Sequence, residues 1–330
     1  MIADVVLGLQ HGDESKGKVS YNLAKNPEYT HVVRFNGGAN AGHTIYHEGE
    51  KCITHLLPAG VFFNKTSIIG PGCVINVKTL FEEIEELESK GIKAFDNLRI
   101  AHNAHIVTDK HLNEDSKDVK IGTTKRGIGQ CYTDKFARRG IRAEDVDEPL
   151  LRSRLVDSID ELHGDGVVAL FEGAQGFCLD IDHGDYPFVT SSNTGIGAVL
   201  NSGIPAQAIR RVYGVAKIYE TYVGAKSFEP HDQVFWHTIR RLGEEFGATT
   251  GRPRQCNWMN WERLQRAIKV NGVTDLIINK IDVLEEYGGF VILVGDEEKR
   301  FQSMDEMQTF IKSGTNPTVD ITFSSNKEII

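Results

Sequence analysis

Asp4-Val5-Val6-Leu7-Gly8-Leu9-Gln10-His11-Gly12-Asp13-Glu14-Ser15-Lys16-Gly17-Lys18 joins an apolar run to a glycine turn and two lysines. Its first half is a short apolar run and reads as a buried strand. The run ends in Gly12, and a helix is expected from about Lys16. A glycine turn between a strand and a helix N-terminus is an anion seat, because unpaired amides and the helix dipole face the same point. The spacing Gly12-x-x-x-x-Gly17-Lys18 satisfies the phosphate-loop pattern, but Val19 stands where that pattern places a hydroxyl on Mg²⁺. A magnesium ion would need another ligand, and Asp13 is the obvious carboxylate. The plainer alternative is a solvated turn with two surface lysines.

Outward from this stretch, further apolar runs bounded by turn residues lie at His31–Phe35, Ser67–Ile69, Gly166–Phe171, Val212–Tyr219, Asp275–Ile281 and Phe290–Val294. Helical patterns separate several of them. Val77, Leu80, Phe81, Ile84 and Leu87 recur at helix spacing, with Gly91 as the stop. Ser303-Met304-Asp305-Glu306 reads as a capping box opening a helix that ends near Gly314. Strands alternating with helices predict an α/β fold with a mainly parallel central sheet flanked by helices. Ligands then sit beyond the carboxyl ends of the strands, where the glycine clusters fall.

The 330 residues are 40% hydrophobic and 25% charged, which excludes disorder and allows a sizeable core. This length suits one or two domains, and residues 1–330 are read as one. No apolar run approaches the roughly 18 residues of a membrane span, and the N-terminus lacks the pattern of a secretory signal. Lys+Arg 37 against Asp+Glu 46 gives a formal net charge of −9, which argues against a nucleic-acid partner. The five cysteines, Cys52, Cys73, Cys131, Cys178 and Cys256, form no C-x-x-C pair and read as buried reduced thiols. A cytoplasmic protein is expected, in a host cytoplasm if the source is viral.

Five more clusters carry chemistry. Arg34-Phe35-Asn36-Gly37-Gly38-Ala39-Asn40-Ala41-Gly42-His43-Thr44 puts a histidine in a glycine-rich loop after a strand. His43 reads there as an acid or donor, or else as a satisfied core residue. Ile121-Gly122-Thr123-Thr124-Lys125-Arg126-Gly127-Ile128-Gly129 with Arg138-Arg139-Gly140 suits a nucleotide monophosphate, or is a basic surface hairpin. In Phe171-Glu172-Gly173-Ala174-Gln175-Gly176 and Val189-Thr190-Ser191-Ser192-Asn193-Thr194, Gln175 and Thr190 read as neutral partners of a base or sugar. Asp180-Ile181-Asp182-His183 between them lacks a second histidine at metal-ligand spacing. Gly247-Ala248-Thr249-Thr250-Gly251-Arg252-Pro253-Arg254 offers hydroxyls and arginines to a carboxylate ligand. Asn279-Lys280-Ile281-Asp282 can seat a guanine, with Asp282 on its Watson–Crick edge and the Lys280 stem along the ring.

Taken in order, these clusters resemble the adenylosuccinate synthetase family. The shared patterns are Gln10–Lys18, Asn40–Thr44, Ile121–Thr124, Phe171–Gly176, Tyr186–Ser192, Gly247–Arg252 and Lys280–Asp282, running from about residue 3 to 285. The resemblance implies a ligase. A nucleoside triphosphate phosphorylates the 6-oxygen of a purine monophosphate, and the amine of L-aspartate then displaces the phosphate. It implies Asp13 as base, His43 as acid, and Mg²⁺ held by Asp13 and the Gly42 carbonyl. Monophosphate contacts map to Asp13, Glu14, Ser15, Lys16, Asn40, Ala41, Gly42, His43, Thr124, Gln175, Thr190 and Arg252, with Arg138 supplied by the partner in a homodimer. Aspartate contacts map to Ala248, Thr249, Thr250, Gly251, Arg252 and Arg254. Triphosphate contacts map to Gly12, Asp13, Glu14, Ser15, Lys16, Gly17, Lys18, Gly42, His43, Thr44, Arg254, Lys280 and Asp282.

The sequence departs from the family pattern at three places. Ser15 replaces a glycine, Pro253 and Gln255 break an arginine run, and Phe323-Ser324-Ser325-Asn326-Lys327 stands where a glycine-proline-acidic-arginine segment lines the donor base. These departures, with the short chain, resemble the viral branch that acts on dGMP with ATP and makes a 2-aminoadenine precursor. A compact enzyme using IMP and GTP is the alternative. A GTP-binding switch is a more distant one, since a switch needs neither the carboxylate loop nor a second monophosphate site.

Overall fold

The computed structural model describes residues 1–230, 234–247 and 251–325. A nine-stranded, wholly parallel sheet forms its centre. Across the sheet the strands are Asp320–Phe323, Asp275–Asn279, Ile209–Lys217, Ile2–Gly8, Val168–Glu172, His31–Arg34, Thr66–Ile69, Leu98–Ala101 and Leu155–Val156. In the strand Ile2–Gly8 every residue after Ile2 is buried. Val5 and Leu7 pack into one apolar cluster and Val6 into another, so both faces are covered. That is why parallel strands read as unbroken apolar runs. The expected α/β fold with a mainly parallel sheet flanked by helices is the one observed.

The helices follow their sequence signals. Val77–Ser89 buries Leu80, Ile84 and Leu87, takes an N-cap bond from Thr79 N to Asn76, and gives way to Gly91 at φ 82°. Met304–Gly314 is capped by Ser303, which accepts from Glu306 N at 3.2 Å. The returning bond differs from the expected box: Glu306 accepts from Gln302 N at 2.7 Å.

Two apolar runs are each divided in two. Val212–Tyr219 was expected as one strand, but the central strand ends at Lys217. Tyr219–Tyr222 belongs instead to a second sheet with Gln255–Asn260, Phe290–Val294 and Glu297–Phe301. Asp275–Ile281 stops at Asn279, where Lys280 at φ 67° turns the chain into the helix Ile281–Tyr287.

Five adjacent strands end at Asn279, Lys217, Gly8, Glu172 and Arg34, and four of them, all but the one ending at Lys217, run into a sequence cluster at one edge of the sheet. No helix of the described residues is long and apolar enough to cross a membrane. All five cysteines are buried and free.

Candidate active site

The first loop is built around a buried carboxylate. Glu14 is fully buried and its Oε1 accepts from Gln10 N at 3.1 Å and Gly12 N at 2.8 Å. Its Oε2 takes the Lys16 ammonium, itself 4% exposed. Glu14 therefore shapes the loop from beneath, and Lys16 spends its charge on Glu14. Gly12, Asp13 and Ser15 all have positive φ, at 86°, 61° and 70°, which lifts the loop over the start of the helix Lys16–Ala24. Asp13 is left partly exposed, with its Oδ2 2.8 Å from Arg254 Nε.

Glycines let the other clusters close on this loop. A Cβ on Gly17 would lie 2.5 Å from His43 Cβ, so the His43 ring packs directly on the loop. A Cβ on Gly176 would lie 2.4 Å from Gln10 O and 2.8 Å from Gly12 N. Gln175, at φ 58°, thereby stands beside the loop with its Oε1 buried and lacking a hydrogen bond in the protein. The Asn40 carboxamide accepts from Gly38 N at 3.1 Å, and both Gln175 and Asn40 lie against Gly37. Thr190 joins through its amide, which donates to Leu179 O at 2.8 Å.

His43 belongs to a buried triad that the sequence reading did not assign. The Glu172 Oε1 is 2.7 Å from both His43 Nδ1 and Arg34 Nη1, and its Oε2 accepts from Ala59 N at 3.0 Å. Burial first, and the Arg34 guanidinium second, lower the His43 imidazole to about 4, against the opposing pull of Glu172. Burial pushes the Glu172 carboxyl up, but its bonds to His43, Arg34 and Ala59 reverse this and hold it at about 2. His43 is thus neutral at pH 7, with its proton on Nδ1 toward Glu172. As it stands, Nε2 is an acceptor. Anionic charge beside the imidazole would raise its pKa.

Glu245 is a second unassigned hub. It is fully buried and takes Lys217 Nζ at 2.9 Å, Arg254 Nη1 at 2.6 Å and Tyr219 OH at 2.6 Å, with Lys280 Nζ at 3.8 Å. Burial pushes its carboxyl up, and Lys217, Lys280 and Arg254 overcome this to hold it at about 2. Arg254 therefore bridges Glu245 and Asp13. The Lys280 amine is turned to Glu245 and Gly243 O, while Asn279 Nδ2 donates to Glu14 O at 2.8 Å. The two hubs tie the ends of the strands to the first loop.

The remaining expected residues vary in placement. Lys18 Nζ donates to Ser325 O at 3.1 Å, which brings the end of the last strand beside the loop. Ala41 is buried, Gly42 and Thr44 are half-buried, and Thr44 follows His43 in the strand His43–His47. Gly251 has φ 64°, and its amide donates to Gly247 O at 2.8 Å. Arg252 is exposed, and its carbonyl accepts from Gly247 N at 2.9 Å. Asp282 sits half-buried in the first turn of its helix. Thr124 and Arg138 are exposed. Ala248, Thr249 and Thr250 lie outside the described residues. The Asp180 carboxylate is occupied by Asp182 N, His183 N and Thr194 N, so it is a turn-former. No cluster of metal-ligating side chains occurs among the described residues.

A helix N-terminus under a glycine turn, with an aspartate above it and a buried histidine beside it, is a layout that suits an anionic ligand such as a phosphate. A family model described as adenylosuccinate synthetase matches residues 5–163 and 152–298. The adenylosuccinate synthetase of Thermodesulfovibrio yellowstonii is 40% identical over 342 residues, covering 88% of this chain and 80% of the relative. That of Geobacillus sp. is 41% identical over 338 residues, covering 86% and 78%. Among solved structures, fully ligated adenylosuccinate synthetase from Plasmodium falciparum superposes with TM-score 0.81 at 34% identity, covering 91% of this chain and 83% of that one. Cyanophage S-2L succinoaminodeoxyadenylate synthetase, bound to dGMP and dATP as an energy donor, superposes with TM-score 0.77 at 22% identity, covering 98% and 92%, a likeness of fold. The chain belongs to the adenylosuccinate synthetase family and is a carbon–nitrogen ligase.

Proposed function

We propose that the protein joins L-aspartate to C6 of dGMP, with ATP as phosphoryl donor, and gives 2-amino-2′-deoxy-N6-succinyladenylate. This is the reaction of the viral branch. In this reading the Asp13 carboxylate takes the N1 proton of the purine, and O6 attacks the γ-phosphorus as the nucleoside diphosphate leaves. The aspartate amine then adds to C6, and the C6–O6 bond breaks to release phosphate. His43 Nε2 faces the charge that builds on O6 and the phosphoryl group, and Glu172 holds the imidazole in that orientation. Asp13 with the Gly42 carbonyl and substrate phosphates is a hard-oxygen set that fits Mg²⁺, which would neutralise phosphate charge when bound. Arg254 must leave Asp13 before the base is free, and an incoming carboxylate or phosphate supplies its new partner.

The observation that carries the choice of dGMP is Ser15. It holds φ 70° at the N-cap of the helix Lys16–Ala24, and its side chain caps no helix amide. A non-glycine residue in this region costs on the order of 1–3 kcal/mol, which glycine avoids. Ser15 is half-buried two residues from Asp13, on the loop that in this reading positions the purine edge. dGMP differs from IMP by a 2-amino group, whose burial without an acceptor costs about 1–3 kcal/mol. A serine hydroxyl is such an acceptor. For the donor, Ser324 and Ser325 lie against Ile281 N and Lys18, where the family's guanine-lining segment is expected.

The second reading is the IMP- and GTP-using reaction, favoured by the names of the relatives at 40–41% identity. Measuring kcat/KM for dGMP, GMP and IMP, each with ATP and GTP, decides between them. The proposal requires dGMP with ATP to lead, and the advantage of dGMP over IMP to shrink in Ser15→Gly. A clear lead for IMP overturns it. Arg138, exposed at φ 61° after the helix Ile128–Phe136, is proposed to complete the monophosphate site of a partner subunit in a homodimer. Residues 1–330 are proposed to act as one unit, because the central sheet takes strands from both ends of the chain.

A further inference from the structure

A second cavity, of about 640 Å³, lies at the far ends of the elements that build the active site. That volume falls within the range of small-molecule sites. Lys25, Lys65, Lys90 and Lys93 line it, against a single carboxylate, Glu48. Lys90 is paired with Glu86 at 2.9 Å. Among the described residues, no carboxylate lies within ion-pair distance of Lys25, Lys65 or Lys93. The Lys65 ammonium donates instead to the backbone carbonyls of Asn26 and Tyr29, and burial lowers its pKa. A second wall is aromatic. The His47 ring stands 5.2 Å from that of Phe62 and 6.1 Å from that of Phe63, and its Nδ1 is 3.0 Å from Tyr21 OH.

We propose that this cavity is an effector site for a nucleoside phosphate, separate from the catalytic site and independent of which acceptor the enzyme uses. Lys25, Lys65 and Lys93, ammonium groups whose neighbours among the described residues include no carboxylate partner, are the chemistry that takes phosphate, and an aromatic wall takes a planar base. Three elements connect the two sites. The helix Lys16–Ala24 starts in the first loop and ends beside Lys25. The strand His43–His47 runs from the buried histidine to the aromatic wall. The turn Ala59–Phe63 donates its first amide to Glu172, the partner of His43, and places Phe62 and Phe63 on the cavity. A ligand that braces these far ends acts on the position of His43.

Calorimetric titration of the enzyme with ADP tests this. Two binding events per chain are expected in the wild type. Lys25→Glu with Lys93→Glu, both exposed side chains, should weaken one event at least tenfold and leave the other, and the kcat without added ADP, within twofold. Phe63→Ala should weaken ADP at this site but not inorganic pyrophosphate. The absence of any ADP event that the charge reversals weaken overturns the proposal, whereas a single event that they do weaken keeps it and assigns the catalytic site to a guanine donor. Pyrophosphate binding as tightly as ADP overturns the nucleoside part and leaves a free-polyphosphate site. A readout that needs no variant is photolabelling with 8-azido-ADP. Label on peptides spanning 47–65 is expected, and label confined to the first loop and residues 279–282 contradicts it.

Discussion

Replacing Glu172 with Gln removes one charge and turns one acceptor oxygen into a donor, with almost no change of volume. Two consequences follow from the geometry. The Arg34 guanidinium is 1% exposed and loses the charge of its carboxylate partner at 2.7 Å, keeping neutral partners such as His55 O at 3.0 Å from Nη2. Breaking a buried pair from one side costs about 3–5 kcal/mol, and the retained amide oxygen should keep the loss near the lower end. At roughly 2–4 °C per kcal/mol, the melting temperature should fall by about 6–12 °C. The second consequence is on His43. Glu172 fixes its tautomer and opposes the burial and the Arg34 charge that lower its pKa. Without the carboxylate, the imidazole is harder to protonate and its tautomer is no longer fixed, and kcat should fall by roughly 10²–10⁴. The assay is phosphate release with saturating aspartate, monophosphate and triphosphate, beside a thermal melt. A folded variant with kcat within twofold of wild type, or a loss confined to KM, would refute the reasoning.

Three further outcomes are expected. Asp13→Asn should keep triphosphate binding while turnover drops by several orders of magnitude, measured by calorimetry and phosphate release; near-normal turnover removes Asp13 as the base. The fold favours neutral His43, whose pKa is lowered from 6.5 to about 4, so stability present above pH 6.5 is lost as pH falls toward 4. That loss amounts to at most about 3 kcal/mol, and it should be absent from the denaturation profile of His43→Asn between those pH values; an identical slope in both proteins contradicts the assignment. Mixing inactive Arg138→Leu with inactive Asp13→Asn should restore partial activity through hybrid sites, and no recovery despite verified subunit exchange places Arg138 in its own chain's site.

The parallel core was legible because buried parallel strands leave unbroken apolar runs, as in Asp4–Leu9 and His31–Phe35. Leu98–Ala101, Leu155–Val156 and Asp320–Phe323 were not legible. The first two are four and two residues long, and the last alternates with exposed residues at the sheet edge. The boundaries at Ile218 and Asn279 were missed because the turns there use Ile and Lys in place of glycine or proline. In the site, the loops announced themselves through glycine, and the structure explains which contacts those glycines permit. The supporting hubs did not, because a glutamate that ends a strand or precedes a loop has no pattern of its own. Glu172 did leave one signal, a charge closing the otherwise apolar strand Val168–Glu172. The Glu14 carboxylate and Lys16 amine illustrate the converse. Their positions in the motif suggest ligand contacts, and no sequence pattern announces the contact the two side chains make with each other.

In the proposed reaction O6 of the purine is phosphorylated and then leaves as part of phosphate. Running the reaction with dGMP labelled with ¹⁸O at position 6, and in parallel with similarly labelled IMP, tests it directly. Mass spectrometry of the released phosphate should find one ¹⁸O per turnover, only when aspartate is present and fastest from dGMP. Unlabelled phosphate, or phosphate released at the same rate without aspartate and purine monophosphate, would contradict the claim.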